Sequence, residues 1–414
     1  MLVYTPTTIT GDYDSAPHTM RNPKHSHNKT SKDVPKKSTS SPSNWATHLA
    51  STTAENASSR GITYLNLLAT PVVAVNSLSH LDPDSTILYI DKLTPTNEQW
   101  DTLSSYFTKV QKLYVSSGPA EDWNDTSFPL AWPLDVLVVA GPASAEVLTP
   151  AIIEGRVEHL AFYLCHNLKW YGLENWESLE DLLPFVNIGE AEEKWVLRLN
   201  GWTPRKLQNG MLKQYLHARP ELKGKLPPTK TKTFEIIGNN AIGMLVGFCL
   251  QCFPVAAGLE SVTLRSNDYG GVGGWTNGNE DAPEEVFFAT FLLTMEKLKV
   301  LRLDVGERLL TSENGLEMPL LKNMWRFLPP KLEQLHFRGP VGMASHVEEW
   351  VEAFRDQKFL PELKRVSFVL DRAKDGEKVD MEALHQARDA CEKLRDVLAA
   401  RGVVVEEFPD SWEF

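Results

Sequence analysis

Cysteine is scarce, with four in 414 residues. That is too few for a disulfide framework and points to a reducing compartment. No run approaches the roughly 18 apolar residues of a membrane-spanning helix. Residues 1–20 also lack the charged-then-apolar order of a secretory signal. The expectation is an intracellular protein, cytoplasmic or nuclear, with no membrane association. Positive charge is in deficit as well: 42 Lys and Arg stand against 54 Asp and Glu, a formal net charge of −12. Phosphates would meet a repulsive field, which argues against general nucleic-acid binding. No spacing suggests a nucleophile triad, a metal cluster or a carboxylate pair. No catalytic residue, cofactor or metal is therefore assigned, and a non-enzymatic protein is expected.

What is present divides unevenly along the chain. Residues 1–60 are rich in Ser, Thr, Pro, Asn and His and nearly empty of large apolar residues. Such a composition cannot offset ordering entropy by burial, so a disordered tail is predicted. Seven Lys and Arg against four Asp and Glu give this tail a surplus of +3, which leaves −15 for the rest. The cluster from Arg21 to Lys37 is read as a solvated tail, with nuclear import or docking as the alternative.

From Ile62 onward one apolar pattern recurs: an apolar residue, two others, then two apolar residues in alternation. It occurs at Ile62/Leu65/Leu67, Val110/Leu113/Val115, Leu134/Leu137/Val139 and Val157/Leu160/Phe162. It returns at Leu259/Val262/Leu264, Leu298/Leu301/Leu303, Leu332/Leu335/Phe337 and Leu363/Val366/Phe368. With a degenerate unit at Ser85, the first starts are 62, 85, 110, 134 and 157, inside the repeat range of about 20–29 residues. The fold predicted for residues 61–414 is α/β: a leucine-rich-repeat-like solenoid, or horseshoe, with a parallel concave sheet and outer helices. Each unit has an apolar face that only the next unit can cover. Helices are expected at Thr96–Phe107, 207–217, 242–253, 284–297 and 347–354. A closing helix over 380–400 has Asp380 as N-cap and Gly402 as its stop, followed by a strand at Val403–Val405. Between Cys165 and Leu259 the spacing is uneven. A strand at Trp195–Leu199 and a weaker one at Phe234–Ile237 are read there.

Together with the strands at Leu259, Leu298, Leu332 and Leu363, the ending Asp389 to Phe408 resembles the irregular leucine-rich-repeat proteins of filamentous fungi, many of them F-box-like. The resemblance implies a curved solenoid used for protein recognition. In the F-box members an N-terminal helical motif recruits ubiquitin-ligase machinery. Residues 1–60 hold no such motif. A substrate receptor that partners a ubiquitin-ligase adaptor is the alternative function the resemblance implies.

Two motifs invite chemistry. Cys249-Leu-Gln-Cys252 lies in an apolar helix without a second ligand pair, so both thiols are read as core. Gly270-Gly271-Val-Gly273-Gly274 lacks the Lys-Ser/Thr of a phosphate loop and is read as an insertion between strand and helix. The more informative positions lie between the scaffold residues. Strand geometry turns the third, fifth and seventh positions of each unit outward onto the concave sheet. The outward residues singled out are Tyr89, Tyr114 and Tyr163 in the first half, then Arg198, Arg265, Arg302, His336, Arg338 and Arg365. One reading is simply a polar exposed face. The other is a groove whose aromatic half anchors a side chain while its Arg half pairs an acidic or phosphorylated segment of a protein partner.

Overall fold

The computed structural model describes residues 52–70, 72, 74–93, 95–116, 132–141, 152, 154–163, 187–191, 194–198, 204–218, 224, 229–238, 241–266, 291–306, 324–372 and 380–408. The expected tail up to residue 51, the Gly-rich segment at 270–274 and Cys165 lie outside these residues. Within 52–60, where the tail was expected to continue, a helix α1 (Ala54–Ala57) and a 3-10 turn (Ser58–Arg60) form instead.

Eleven strands make one parallel sheet. They are β1 (Thr63–Asn66), β2 (Ile87–Asp91), β3 (Lys112–Ser116), β4 (Val136–Ala140), β5 (His159–Tyr163), β8 (Thr233–Gly238), β9 (Ser261–Ser266), β10 (Val300–Asp304), β11 (Gln334–Pro340), β12 (Arg365–Arg372) and β13 (Val404–Val405). They lie side by side in chain order, and the sheet is not closed into a barrel. Two further strands, β6 (Asn187–Ala191) and β7 (Lys194–Arg198), form a separate antiparallel pair.

Each strand adds to the edge left by its predecessor. Parallel neighbours in chain order favour crossovers of one hand, which places their helices on one face of the sheet. The side chains agree with this. Leu301 and Leu303 share one apolar cluster with Leu113, Leu137, Leu160, Val262, Leu335 and Val366 from the other strands. Trp100, Leu245, Trp350 and Leu394 of the connecting helices join the same cluster. Burying one such side chain contributes about 1.5–3 kcal/mol. The register is strict: Leu301 lies opposite Val262 and Leu335, and Arg302 opposite Thr263 and His336. Ile62 departs from the expected pattern. It packs with residues of the opposite face, because the chain enters β1 through the left-handed turn at Gly61 (φ 67°).

The helices form where caps and apolar spacing predict them. In α2 (Asn97–Tyr106), Thr96 Oγ1 accepts from the Gln99 N–H at 3.3 Å, and Gln99 Oε1 accepts from the Thr96 N–H at 2.9 Å. That reciprocal box satisfies two orphan donors. Helix α3 covers Pro204–Ala218. The helix expected over 242–253 is observed as α4 (Ala241–Gln251), a break at Cys252, and α5 (Phe253–Ala256) with Pro254 in its first turn. Proline lacks an N–H, so it is tolerated only where a helix starts afresh. Cys249 and Cys252 are both fully buried among apolar neighbours, and burial pushes the Cys249 thiol well up. Residues 291–294 are helical, and α6 spans Val347–Arg355. The closing helix α7 (Met381–Ala400) begins with Asp380 accepting from the Glu382 N–H at 3.1 Å. It ends at Gly402 with φ 75°, a conformation that favours glycine. Among the described residues, no helix is long and apolar enough to cross a membrane.

The strand at Trp195 does not join the parallel sheet. Only two residues separate β6 from β7, and that length suits a hairpin, whereas a parallel partner needs a crossover of about a dozen residues. β5 instead pairs directly with β8, the strand read at Phe234–Ile237, with Ala161 opposite Glu235 and Glu235 opposite Thr263. The first scaffold position of this unit is Thr231, buried with its hydroxyl donating to the Val157 carbonyl at 2.6 Å. A threonine can occupy an apolar slot when its hydroxyl is satisfied in this way.

Candidate functional site

The sheet face opposite the helices divides into an apolar part and a polar part. On β1 to β3, Tyr64, Tyr89 and Tyr114 lie directly opposite one another. Their rings stack with centroids 5.3 and 4.3 Å apart. Tyr89 and Tyr114 are only 6% and 5% exposed, and they form a second apolar cluster with Val138, Ala161, Tyr163 and Ile237. These aromatics therefore act as a packed core on that face. Tyr163, at the border, is buried beside Glu235 of β8, and each influences the other's ionisation.

From β8 to β12 the face is polar, and its central row reads Glu235, Thr263, Arg302, His336 and Ser367. The predicted arginines have different surroundings. Asp304, 1% exposed, receives Arg265 at 3.4 Å and a two-pronged contact from Arg372, whose Nε donates at 2.7 Å. Arg338 holds Asp371 through Nε at 2.7 Å and a terminal nitrogen at 2.9 Å. Arg365 is exposed and pairs with Glu406 at 3.0 Å. The side chain of Arg198 lies outside the described residues, and its strand is not part of this sheet.

Arg302 stands apart. Among the described residues it forms no ion pair, and its Nε is buried without a hydrogen-bond partner. Burial lowers its affinity for the proton, while Glu235 and then Glu406 oppose that effect. Beside it, His336 is 5% exposed; its Nδ1 meets Ser367 Oγ at 2.9 Å, and its Nε2 is buried without a described partner. Burial, with Arg302 and Arg365 adding repulsion, pulls the His336 imidazole down to about 4. Burial pushes the Glu235 carboxyl up to about 7, against the opposing influence of the Tyr163 hydroxyl and Arg302. A pocket of about 460 Å³ opens over the first three residues of this row, with Glu235, Thr263 and Arg302 among its lining together with Ser261. Thr263 is short and lies between two long side chains, which leaves the space above it open.

One edge of the pocket carries a charge ladder absent from the predicted site. The residue preceding each strand alternates in sign from β5 to β12: Glu158, Lys232, Glu260, Lys299, Glu333, Lys364. Backbone N–H to C=O bonds of 2.8–2.9 Å link each to the next. Lys299 pairs with Glu260 at 2.8 Å and Lys364 with Glu333 at 2.6 Å, and Lys232 pairs with Glu158. Surface pairs of this kind contribute little singly. Lys299→Glu, however, would set three carboxylates side by side. We expect a loss of about 1 kcal/mol in urea unfolding at low salt, shrinking in about 1 M salt, where screening acts over about 3 Å. A loss independent of salt would show that the ladder is not electrostatic.

The sequence carried a signal for the ladder, the alternating second position of each unit. Only the register of β8 makes it continuous. Glu235 lies in the strand read at Phe234–Ile237 but was not singled out, because Thr231 in the first scaffold position hides the repeat unit. Among the described residues, no group of His, Cys, Asp and Glu is placed to hold a metal ion. No protein-family model matches the chain, and no curated protein matches it.

Proposed function

We propose that this chain is a leucine-rich-repeat-like solenoid that acts by recognition rather than catalysis, capturing an acidic or phosphorylated segment of a protein partner on the sheet face opposite its helices. The observation that carries the reading is Arg302, a largely covered guanidinium whose Nε has no described hydrogen-bond partner and which lines an open pocket. A buried donor left unmade costs about 1–3 kcal/mol, more for a charged group, and an oxyanion guest would recover it. Arg265, Arg338 and Arg365 already hold carboxylates of this chain. They support the face and do not carry the capture.

The test is a peptide array of neutral, acidic and phosphorylated segments, probed with the full chain and with Arg302→Gln. Enrichment of acidic or phosphorylated peptides by the wild type, reduced at least tenfold in the variant, is the expected result. Equal enrichment by both chains would remove Arg302 from the site. Stoichiometric recovery of a ubiquitin-ligase adaptor with the full chain would favour the substrate-receptor reading instead.

A further inference from the structure

We propose that Glu235 and Arg302 form a proton-controlled oxyanion site, in which Arg302 accepts the carboxylate or phosphate of the captured segment when Glu235 carries a proton and releases it when Glu235 is ionised. This rests on the capture reading above and adds its regulation. Glu235 and Arg302 stand in one lateral row, one strand apart, with Thr263 between them. Two strand spacings separate their backbones by about 9–10 Å. Both line the same pocket, and their charges act on one another without a described ion pair between them. The space between the two side chains is therefore available to a guest.

The chemistry follows from what each form of Glu235 offers. Ionised, it is acceptor-only and places a negative charge beside the incoming oxyanion. Protonated, it becomes an O–H donor facing the same oxygen atoms that Arg302 attracts. The guest then meets two donors instead of a donor and a competitor.

The groups that face Glu235 come from β5, β9, β10 and β11, with Arg302 on β10. From β5, Tyr163 is held neutral because burial raises its hydroxyl pKa, and burial lowers His159 below its ordinary value while Glu158 opposes that effect. Glu158 is held ionised by its hydrogen bond from Lys232 of the strand-β8 approach, and Lys232 is held charged by that same pair. From β9 come Thr263 and, at the rim, Glu260, which holds Lys299 charged at the approach to β10. From β11, His336 stays neutral down to about 4. Burial pushes Glu235 itself up to about 7.

The experiment measures sulfate binding to the full chain by calorimetry at pH 6 and pH 8, because sulfate keeps its charge across that interval. One linked proton titrating near 7 gives about tenfold tighter binding at pH 6. Glu235→Gln should bind equally at both values, close to the tighter level, and Arg302→Gln should bind at neither. Tyr163→Phe removes the hydroxyl that favours the ionised carboxyl, so it should move the midpoint to higher pH; it serves as an independent readout should Glu235→Gln fail to fold. The same pH slope in Glu235→Gln as in wild type, or an unmoved midpoint in Tyr163→Phe, overturns the proton control while leaving capture intact. Undiminished sulfate binding by Arg302→Gln, or none by wild type at either pH, overturns both. A glutamate peptide and a phosphoserine peptide run in parallel identify the source of the oxyanion, and the one that binds with Arg302 dependence names it. Sulfate binding with neither peptide bound overturns the capture reading.

Discussion

Trp350→Ala should lower the unfolding free energy by about 3–5 kcal/mol, read as a fall in the urea midpoint. Trp350 is fully buried, and its ring lies 5.6 Å from Phe337, 5.3 Å from Phe368 and 6.4 Å from Phe354. It thus ties α6 to β11 and β12 at one point. Removing it leaves a large void that close-packed neighbours can fill only in part. Trp350→Phe provides the contrast. The indole N–H is buried without a described hydrogen-bond partner, so phenylalanine loses volume but also removes a donor that costs about 1–3 kcal/mol unmade. A cost below about 1.5 kcal/mol is expected for that variant. If the Ala variant lost less than the Phe variant, the aromatic cluster would not be the centre of these units. In a stacked array the loss would fall first on the terminal units, so a lower m value accompanying the shift is also expected.

Stability should change with pH at both ends of the neutral range, through different residues. Glu235 has a folded pKa raised to about 7 from the ordinary 4.5, so its contribution is fully present below pH 4.5 and is lost as pH rises to about 7. His336 has a folded value lowered to about 4 from 6.5, so its contribution is present above pH 6.5 and lost as pH falls towards 4. Each full span corresponds to at most about 3 kcal/mol, and Glu235 to less because it is only partly covered. Glu235→Gln should therefore raise the melting temperature at pH 8 and leave it nearly unchanged at pH 4.5. His336→Asn should flatten the acid side, with little effect at pH 8. Melting curves of both variants at pH 4.5, 6.5 and 8 check the signs. A Glu235→Gln gain confined to low pH would contradict the folded-state assignment.

The two variants also separate what was legible from what was not. His336 could be placed on its face from sequence because its unit, Leu332/Leu335/Phe337, is complete. Glu235 fell in a strand read only weakly, because Thr231 occupies the first scaffold slot, which a hydrogen bond to the Val157 carbonyl makes acceptable. Arg198 was misplaced for the converse reason. Trp195 and Leu197 alternate like a sheet strand, but the two-residue link to β6 commits them to a hairpin. Alternation specifies which side chains share a face and says nothing about which strand is the neighbour.

The sequence by itself determined the scaffold. Alternating apolar residues, the caps at Thr96 and Asp380 and the stop at Gly402 are local devices, and each acts through atoms a few residues away. Tertiary structure decided the fate of the charges. Asp304 takes Arg372 across 68 positions in the chain, Arg338 takes Asp371, and Arg302 is left facing Glu235 over an open pocket. An ion pair depends on distance and desolvation, and both are set by the register of strands that lie tens of residues apart in the chain.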